Sequence, residues 1–168
     1  GTVAGFPLGG FPTQAKLAET KIYLDMGADE IDMMIPVGML KSGEYQYVLD
    51  EIQQMGEVVH EQGGLLKVIL EMVLLTRFEK IIGCLISKYA GADFVKTSTG
   101  FSTGGATVED VELMRRVVGP STVMGVKAAG GIHTLDDVMR MINAGANRLG
   151  TRLAKDILKT YQQSQSSG

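Results

Sequence analysis

The chain has 168 residues, with 45% hydrophobic and 21% charged, a size and balance that fit one folded domain and exclude a disordered or fibrous protein. Sixteen Lys and Arg against 19 Asp and Glu leave a net charge of -3, which lacks the basic excess of a protein that tracks a phosphate backbone, so nucleic acid is excluded as a partner. No run approaches the length of a membrane span, and the first ten residues lack the basic start of a signal peptide.

In chain order, apolar runs at 2–6, 30–35, 65–70, 94–98, 125–128 and 148–150 predict strands. They are mostly continuous rather than alternating, as in parallel sheets buried on both faces. Helical patterns are expected between them at 13–26, 44–62, 76–90, 107–118 and 134–144, with a last helix at 152–163. Thr76-Arg-Phe-Glu79 reads as a full capping box, and Thr107-Val-Glu-Asp110 and Thr134-Leu-Asp-Asp137 as close variants. A repeated Gly-Ala-Asp or Gly-Ala-Asn at 27, 91 and 145 follows three of the helices, where a glycine lets the helix end in a left-handed residue before the next strand. The repeat accounts for part of a glycine content of 22, which is about twice average usage.

Six βα units with a period of about 28 residues predict a parallel α/β fold, a closed barrel or an open doubly wound sheet. An eight-unit barrel ordinarily needs at least about 200 residues, so a barrel here would be TIM-barrel-like but incomplete. Residues 1–163 are expected to form one barrel-type domain. Residues 164–168 are expected to be a frayed tail, and an amino end without Met is expected of a cut or processed chain.

Four charged residues interrupt the strand patterns: Asp32, Lys67, Lys96 and Lys127. In a parallel barrel such residues converge in one cavity. A lysine in an apolar cavity beside another cation has a lowered pKa and attacks carbonyls as the free amine, which makes Schiff-base chemistry possible near neutral pH. A carboxylate beside it, here Asp32, then relays protons. The alternative is that these lysines form structural ion pairs with Asp32 or Glu71. Gly130-Gly131 and Gly150-Thr151 end the last two strands, where barrels commonly bind phosphate through backbone N–H groups, although two ordinary tight turns are an equal reading. Gly100 and Gly104-Gly105 suit a loop over a ligand or a plain flexible connection.

Other residues carry less. His60 and His133 have no companions at metal-ligand spacing, so no metal is assigned. The ten methionines read as gap-filling core. The glycines of Gly5-Phe-Pro-Leu-Gly-Gly10 do not make a dinucleotide fingerprint. The single cysteine, Cys84, lies on an apolar helix face and fits a reducing cytoplasm.

Six runs together resemble the deoxyribose-phosphate aldolase family: Val3-Ala-Gly-Phe-Pro-Leu-Gly9, Ala28-Asp-Glu-Ile-Asp-Met-Met34, Leu66-Lys-Val-Ile-Leu-Glu71, Gly91-Ala-Asp-Phe-Val-Lys-Thr-Ser-Thr-Gly-Phe101, Gly104-Gly-Ala-Thr-Val-Glu-Asp110 and Val126-Lys-Ala-Ala-Gly-Gly-Ile132. The resemblance implies a (β/α)8 fold and a class I aldolase of deoxyribonucleotide catabolism without metal or organic cofactor. Its reaction is reversible cleavage of 2-deoxyribose 5-phosphate to acetaldehyde and glyceraldehyde 3-phosphate. It implies that Lys96 is the Schiff-base lysine, Lys127 the second lysine that lowers its pKa and Asp32 the proton-relay carboxylate. Gly130, Gly131 and Thr151 then correspond to phosphate contacts, with Gly100 and Lys67 as further substrate-binding residues.

Two departures accompany it. The first strand matches the family's third, so two βα units are absent, and Arg152 stands where the family has a small hydroxyl residue. Missing units leave two strand edges and an inner wall uncovered, so either the six strands close by themselves, a second copy covers the gap, or the chain is a piece of a longer protein; the second, a homodimer or higher homo-oligomer, is the preferred expectation. The alternative function is a homologue that binds phosphate ligands or self-assembles without turnover.

Overall fold

The computed structural model describes residues 1–166. Six parallel strands, β1 (Thr2–Ala4), β2 (Glu30–Met34), β3 (Leu65–Ile69), β4 (Phe94–Lys96), β5 (Gly125–Ala129) and β6 (Arg148–Gly150), pair strictly in chain order. The helices between and after them are α1 (Thr13–Asp25), α2 (Val37–Lys41), α3 (Tyr45–Glu61), α4 (Arg77–Tyr89), α5 (Val108–Val118), α6 (Leu135–Asn143) and α7 (Ala154–Ser166). The sheet is curled, because side chains of β5 and β6 reach β2 across one face: Lys127 bonds Asp32 and Arg148 bonds Glu30. The fold is thus an incomplete, TIM-barrel-like (β/α) half-barrel. Among the described residues no strand pairs with the outer edge of β1 or β6.

Strand alternation sorts side chains by chemistry. Ile31, Met33, Leu66, Val68, Val95, Val126 and Ala128 are buried in the apolar core with Val48, Ile52, Met55 and Val59 of α3, Cys84 of α4 and Val111, Met114 and Val118 of α5. The alternate residues Glu30, Asp32, Lys67, Phe94, Lys96, Lys127 and Arg148 share the other, inner face. Continuous hydrophobicity is therefore not the pattern of these strands. Their outward positions are apolar and several inward ones are charged.

The expected elements are present with small shifts. Gly27, Gly91 and Gly145 have φ of 94°, 83° and 110°, the left-handed helix endings that the repeat implies. Thr76 with Glu79 and Thr134 with Asp137 form reciprocal capping boxes, whereas Thr107 accepts only the Asp110 N–H. The N–H groups of His133 and Thr134 hold the Asp137 carboxyl down at about 2. Helix α7 runs to Ser166, beyond the expected boundary at residue 163; residues 167 and 168 of the expected tail lie outside the described residues. The short helix α2 and a single 3-10 turn, Met72–Leu74, were not expected from periodicity.

Helix α1 buries Thr13, Lys16 and Thr20 rather than an apolar stripe. Fully buried Lys16 donates to Glu51 at 2.5 Å and to the Met34 carbonyl at 3.1 Å, while Thr13 donates to the other Glu51 oxygen at 2.9 Å. This seam is polar but satisfied, as burial of such groups demands. Burial holds the Lys16 amine below its ordinary range despite Glu51.

Candidate active site

The site grows from register. Lys96 and Lys127 are level partners on β4 and β5, and Asp32 is level with Lys67 on β2 and β3. Phe94, two residues before Lys96, is level with Lys67, so the two amines stand one inward-facing layer above Asp32. Lys96 Nζ donates to Asp32 Oδ2 at 2.8 Å and Lys127 Nζ to the same oxygen at 2.5 Å. The other oxygen, Oδ1, faces Lys67 Nζ at 3.0 Å. Lys67 also meets Glu30 Oε2 at 2.7 Å, and neither of its contacts has hydrogen-bond alignment. Arg148 completes the cluster with a two-pronged bond to Glu30 at 3.0 and 3.1 Å.

Four cations therefore share two carboxylates on the inner wall. Attraction to the lysines outweighs burial and holds the Asp32 carboxyl well below the usual carboxylate range. The Lys127 amine is pushed down, first by burial and then by Lys96 and Lys67, against the pull of Asp32. A cluster with surplus positive charge is one that gives up a proton readily.

Above the amines lies a cavity of about 740 Å³, within the usual size of a small-molecule site. Its floor is Lys96 and Lys127, and its wall includes Gly100, Gly130, Gly131, His133, Thr151 and Arg152. Among its lining residues there is no Asp or Glu, so its field favours an anion. Gly130 and Gly131 have φ of 87° and 73°. A Cβ on neighbouring Gly105 would lie 2.4 Å from the Gly130 carbonyl oxygen, so glycines are needed where these loops meet. Thr151 is at the wall, but its hydroxyl already donates to the Ile132 carbonyl at 2.7 Å and accepts the Leu153 N–H at 3.0 Å.

Thus the structure brings Lys96, Lys127, Gly100, Gly130, Gly131 and Thr151 to one cavity, with Asp32 directly beneath. It does not bring Lys67 there: that side chain is fully buried, with its ammonium between the carboxylates of Glu30 and Asp32. Glu71, considered as a lysine partner, instead accepts from Thr99. His60 pairs with Asp93 at 2.8 Å, away from the cavity. Burial pushes the Cys84 thiol up to about 12, which leaves it inert. Among the described residues no group of three or more His, Cys, Asp or Glu could hold a metal ion. Sequence reasoning missed the Glu30–Arg148 pair, whose signal was that both lie in phase with the inward lysines. It also missed His133 and Phe101 as wall residues.

The family model described as DeoC/LacD family aldolase matches residues 8–159, which include every residue of this site. The chain belongs to the DeoC/LacD aldolase family. It is 59% identical over 150 residues to the deoxyribose-phosphate aldolase of Thermococcus gammatolerans, covering 89% of this chain and 66% of that protein. The Clostridium botulinum (strain Kyoto) enzyme of the same name is 53% identical over 158 residues, covering 94% and 73%. Among solved structures, the deoxyribose phosphate aldolase of Aeropyrum pernix, described as tetrameric, superposes with a TM-score of 0.86 at 33% identity, covering 95% of this chain and 66% of that one. This family member thus spans 66% of the length of the Thermococcus relatives it matches.

Proposed function

We propose that the protein is a class I aldolase that cleaves 2-deoxyribose 5-phosphate reversibly to acetaldehyde and glyceraldehyde 3-phosphate. The observation that carries this reading is that two lysine amines share one buried aspartate oxygen at the floor of a cavity with no acidic wall residue. In the reaction, the neutral Lys96 amine attacks the aldehyde carbon. The carbinolamine loses water to give a protonated imine, with Asp32 and Lys127 passing the protons. Removal of the proton from the sugar's C3 hydroxyl breaks the C2–C3 bond, and its electron pair flows to the imine as an enamine. Glyceraldehyde 3-phosphate leaves. Protonation of the enamine carbon and attack by water then release acetaldehyde and free Lys96.

Asp32 is ionised in the resting site because of its lysine partners, ready to take up and return a proton, and Lys67 holds its far oxygen in place. Gly100, Gly130, Gly131 and the Thr151 turn present backbone to the phosphate, with Arg152 and His133 beside them. Thr151 contributes its main chain rather than its engaged hydroxyl. The reading takes residues 1–163 as one barrel-type unit, needs no cofactor, and assigns a homo-oligomer in which a second copy covers the open inner wall. Among the described residues no helix is long and apolar enough to cross a membrane, and a free, buried Cys84 accords with the cytoplasm, where we place the protein.

Incubation with acetaldehyde followed by borohydride tests the reading. A reduced two-carbon adduct is expected on the peptide that contains Lys96, and it should vanish in Lys96→Leu. A folded protein that forms no adduct between pH 6 and 9, or forms it on another lysine, overturns the assignment.

A further inference from the structure

Glu71 follows β3 and takes no part in the lysine cluster. At φ 54° it is the one non-glycine among the described residues with a positive φ. Its side chain is buried, and Oε1 has no hydrogen-bond partner among the described residues. Both features cost free energy. A residue kept in a strained conformation with one bare buried oxygen is best explained by what its other oxygen holds.

Oε2 accepts the Thr99 backbone N–H at 3.0 Å and the Thr99 hydroxyl. That hydroxyl oxygen in turn accepts the Phe101 N–H at 3.1 Å. The Phe101 ring meets Phe6 edge-on at 5.3 Å, and the Arg152 guanidinium lies over its ring at 5.8 Å. Phe6 comes from the loop after β1 and Arg152 from the loop after β6, so Phe101 joins loops that follow the two opposite edge strands. Thr99, Phe101 and Arg152 all line the cavity. Phe101 is 72% exposed, which is too little packing to fix it. Its place is set by its backbone, and that backbone is clasped by Glu71 through Thr99.

We propose that Glu71 is a positioning residue that holds the turn of residues 99–101, and thereby sets Phe101 and Arg152 against the phosphate-bearing end of the substrate. The substrate half of this proposal rests on the aldolase reading above; the loop half does not. Glu71 itself touches no reacting atom.

Two variants test it. Glu71→Gly removes the carboxylate and relieves the strained φ, and Thr99→Val removes the hydroxyl while leaving Glu71 in place. In each, amide hydrogen exchange over residues 99–103 of the unliganded protein should quicken about tenfold or more, while core strands are unchanged. Thr99→Ser should keep the protection. In Glu71→Gly, KM for 2-deoxyribose 5-phosphate should rise about tenfold with kcat within roughly threefold. Trapping of acetaldehyde, which has no phosphate, should proceed at the wild-type rate. Unchanged exchange in both variants, or a fall in kcat without a rise in KM, overturns the proposal. If Glu71→Gly fails to fold, Thr99→Val decides the loop half. If the wild type neither cleaves nor traps, the aldolase reading fails and exchange alone decides the role of Glu71.

Discussion

Asp32→Asn tests the physics of the inner wall most directly. Asp32 is 5% exposed and faces Lys67, Lys96 and Lys127 at 3.0, 2.8 and 2.5 Å. Asparagine keeps the shape but leaves four cations to share Glu30 alone, and its amide N–H₂ repels an ammonium. Removing one partner from a buried ion cluster ordinarily costs about 3–5 kcal/mol, which for a chain of this size lowers Tm by roughly 6–20 °C. The loss depends on pH in a defined direction. The folded Asp32 carboxyl is depressed below its unfolded value, so its contribution is complete well above pH ~4 and disappears as pH falls through the folded value. On the alkaline side, burial already pushes the Lys127 amine down, so the variant regains stability as that amine sheds its proton. Urea titrations of both proteins from pH 3 to 10 should show the largest gap near neutrality, narrowing at both ends, with equal m-values. A gap under about 1 kcal/mol at pH 7, or one independent of pH, would refute the claim that Asp32 is the counter-ion of the cluster.

Other outcomes follow from the same contacts. Lys127→Leu keeps an apolar stem but removes the cation next to Lys96; adduct formation at Lys96 should slow about tenfold or more at pH 7, and the deficit should narrow toward pH 9, read by timed borohydride quenching. Gly125→Ala places a Cβ 2.1 Å from the Phe94 ring and should cost about 1–3 kcal/mol in urea unfolding, because the ring must leave its rotamer. Lys16→Met strands the buried Glu51 and should cost about 3–5 kcal/mol, whereas Lys16→Met with Glu51→Leu should recover part of it. Sedimentation of the 168-residue chain at micromolar concentration should show a dimer or larger closed oligomer, and a monodisperse monomer would defeat the homo-oligomer assignment.

The fold was legible wherever local chemistry decides it. Helix caps at Thr76 and Thr134 and the left-handed Gly27, Gly91 and Gly145 mark boundaries through contacts within a few residues, and the observed elements begin or end within two or three residues of them. The expected strand 94–98 ends instead at Lys96, because the Thr97 hydroxyl turns to bond the Ala129 backbone at 3.0 and 3.1 Å. Helix α2 has only five residues, too few for a periodic signal. In the site, Asp32, Lys96 and Lys127 were visible because charge inside an apolar strand has few explanations. The role of Lys67 was not, since strand phase places it inward without saying at which height. The Glu30–Arg148 bond joins residues 118 apart, and only the curl of the sheet brings them together.

That curl links stability to chemistry. Burial disfavours every charge on the inner wall, and only mutual pairing keeps the cluster folded. The pairing is lopsided: Glu30 and Asp32 are outnumbered by Lys67, Lys96, Lys127 and Arg148, so the cluster is held together by charges that also repel one another. Lys67 and Arg148 are tied to Glu30 away from the cavity, which leaves Asp32 as the shared anchor of the two amines that reach it. When the Lys127 amine, which burial pushes down, loses its proton, Lys96 keeps the Asp32 contact and the repulsion between the two ends. Loss of the Lys127 proton, costly in water at neutral pH, is thereby eased at the floor of the cavity. The same argument accounts for the absence of an acid among the residues that line the cavity: a carboxylate there would pair with the amines and remove the positive surplus on which the proposed anion binding and neutral lysine depend.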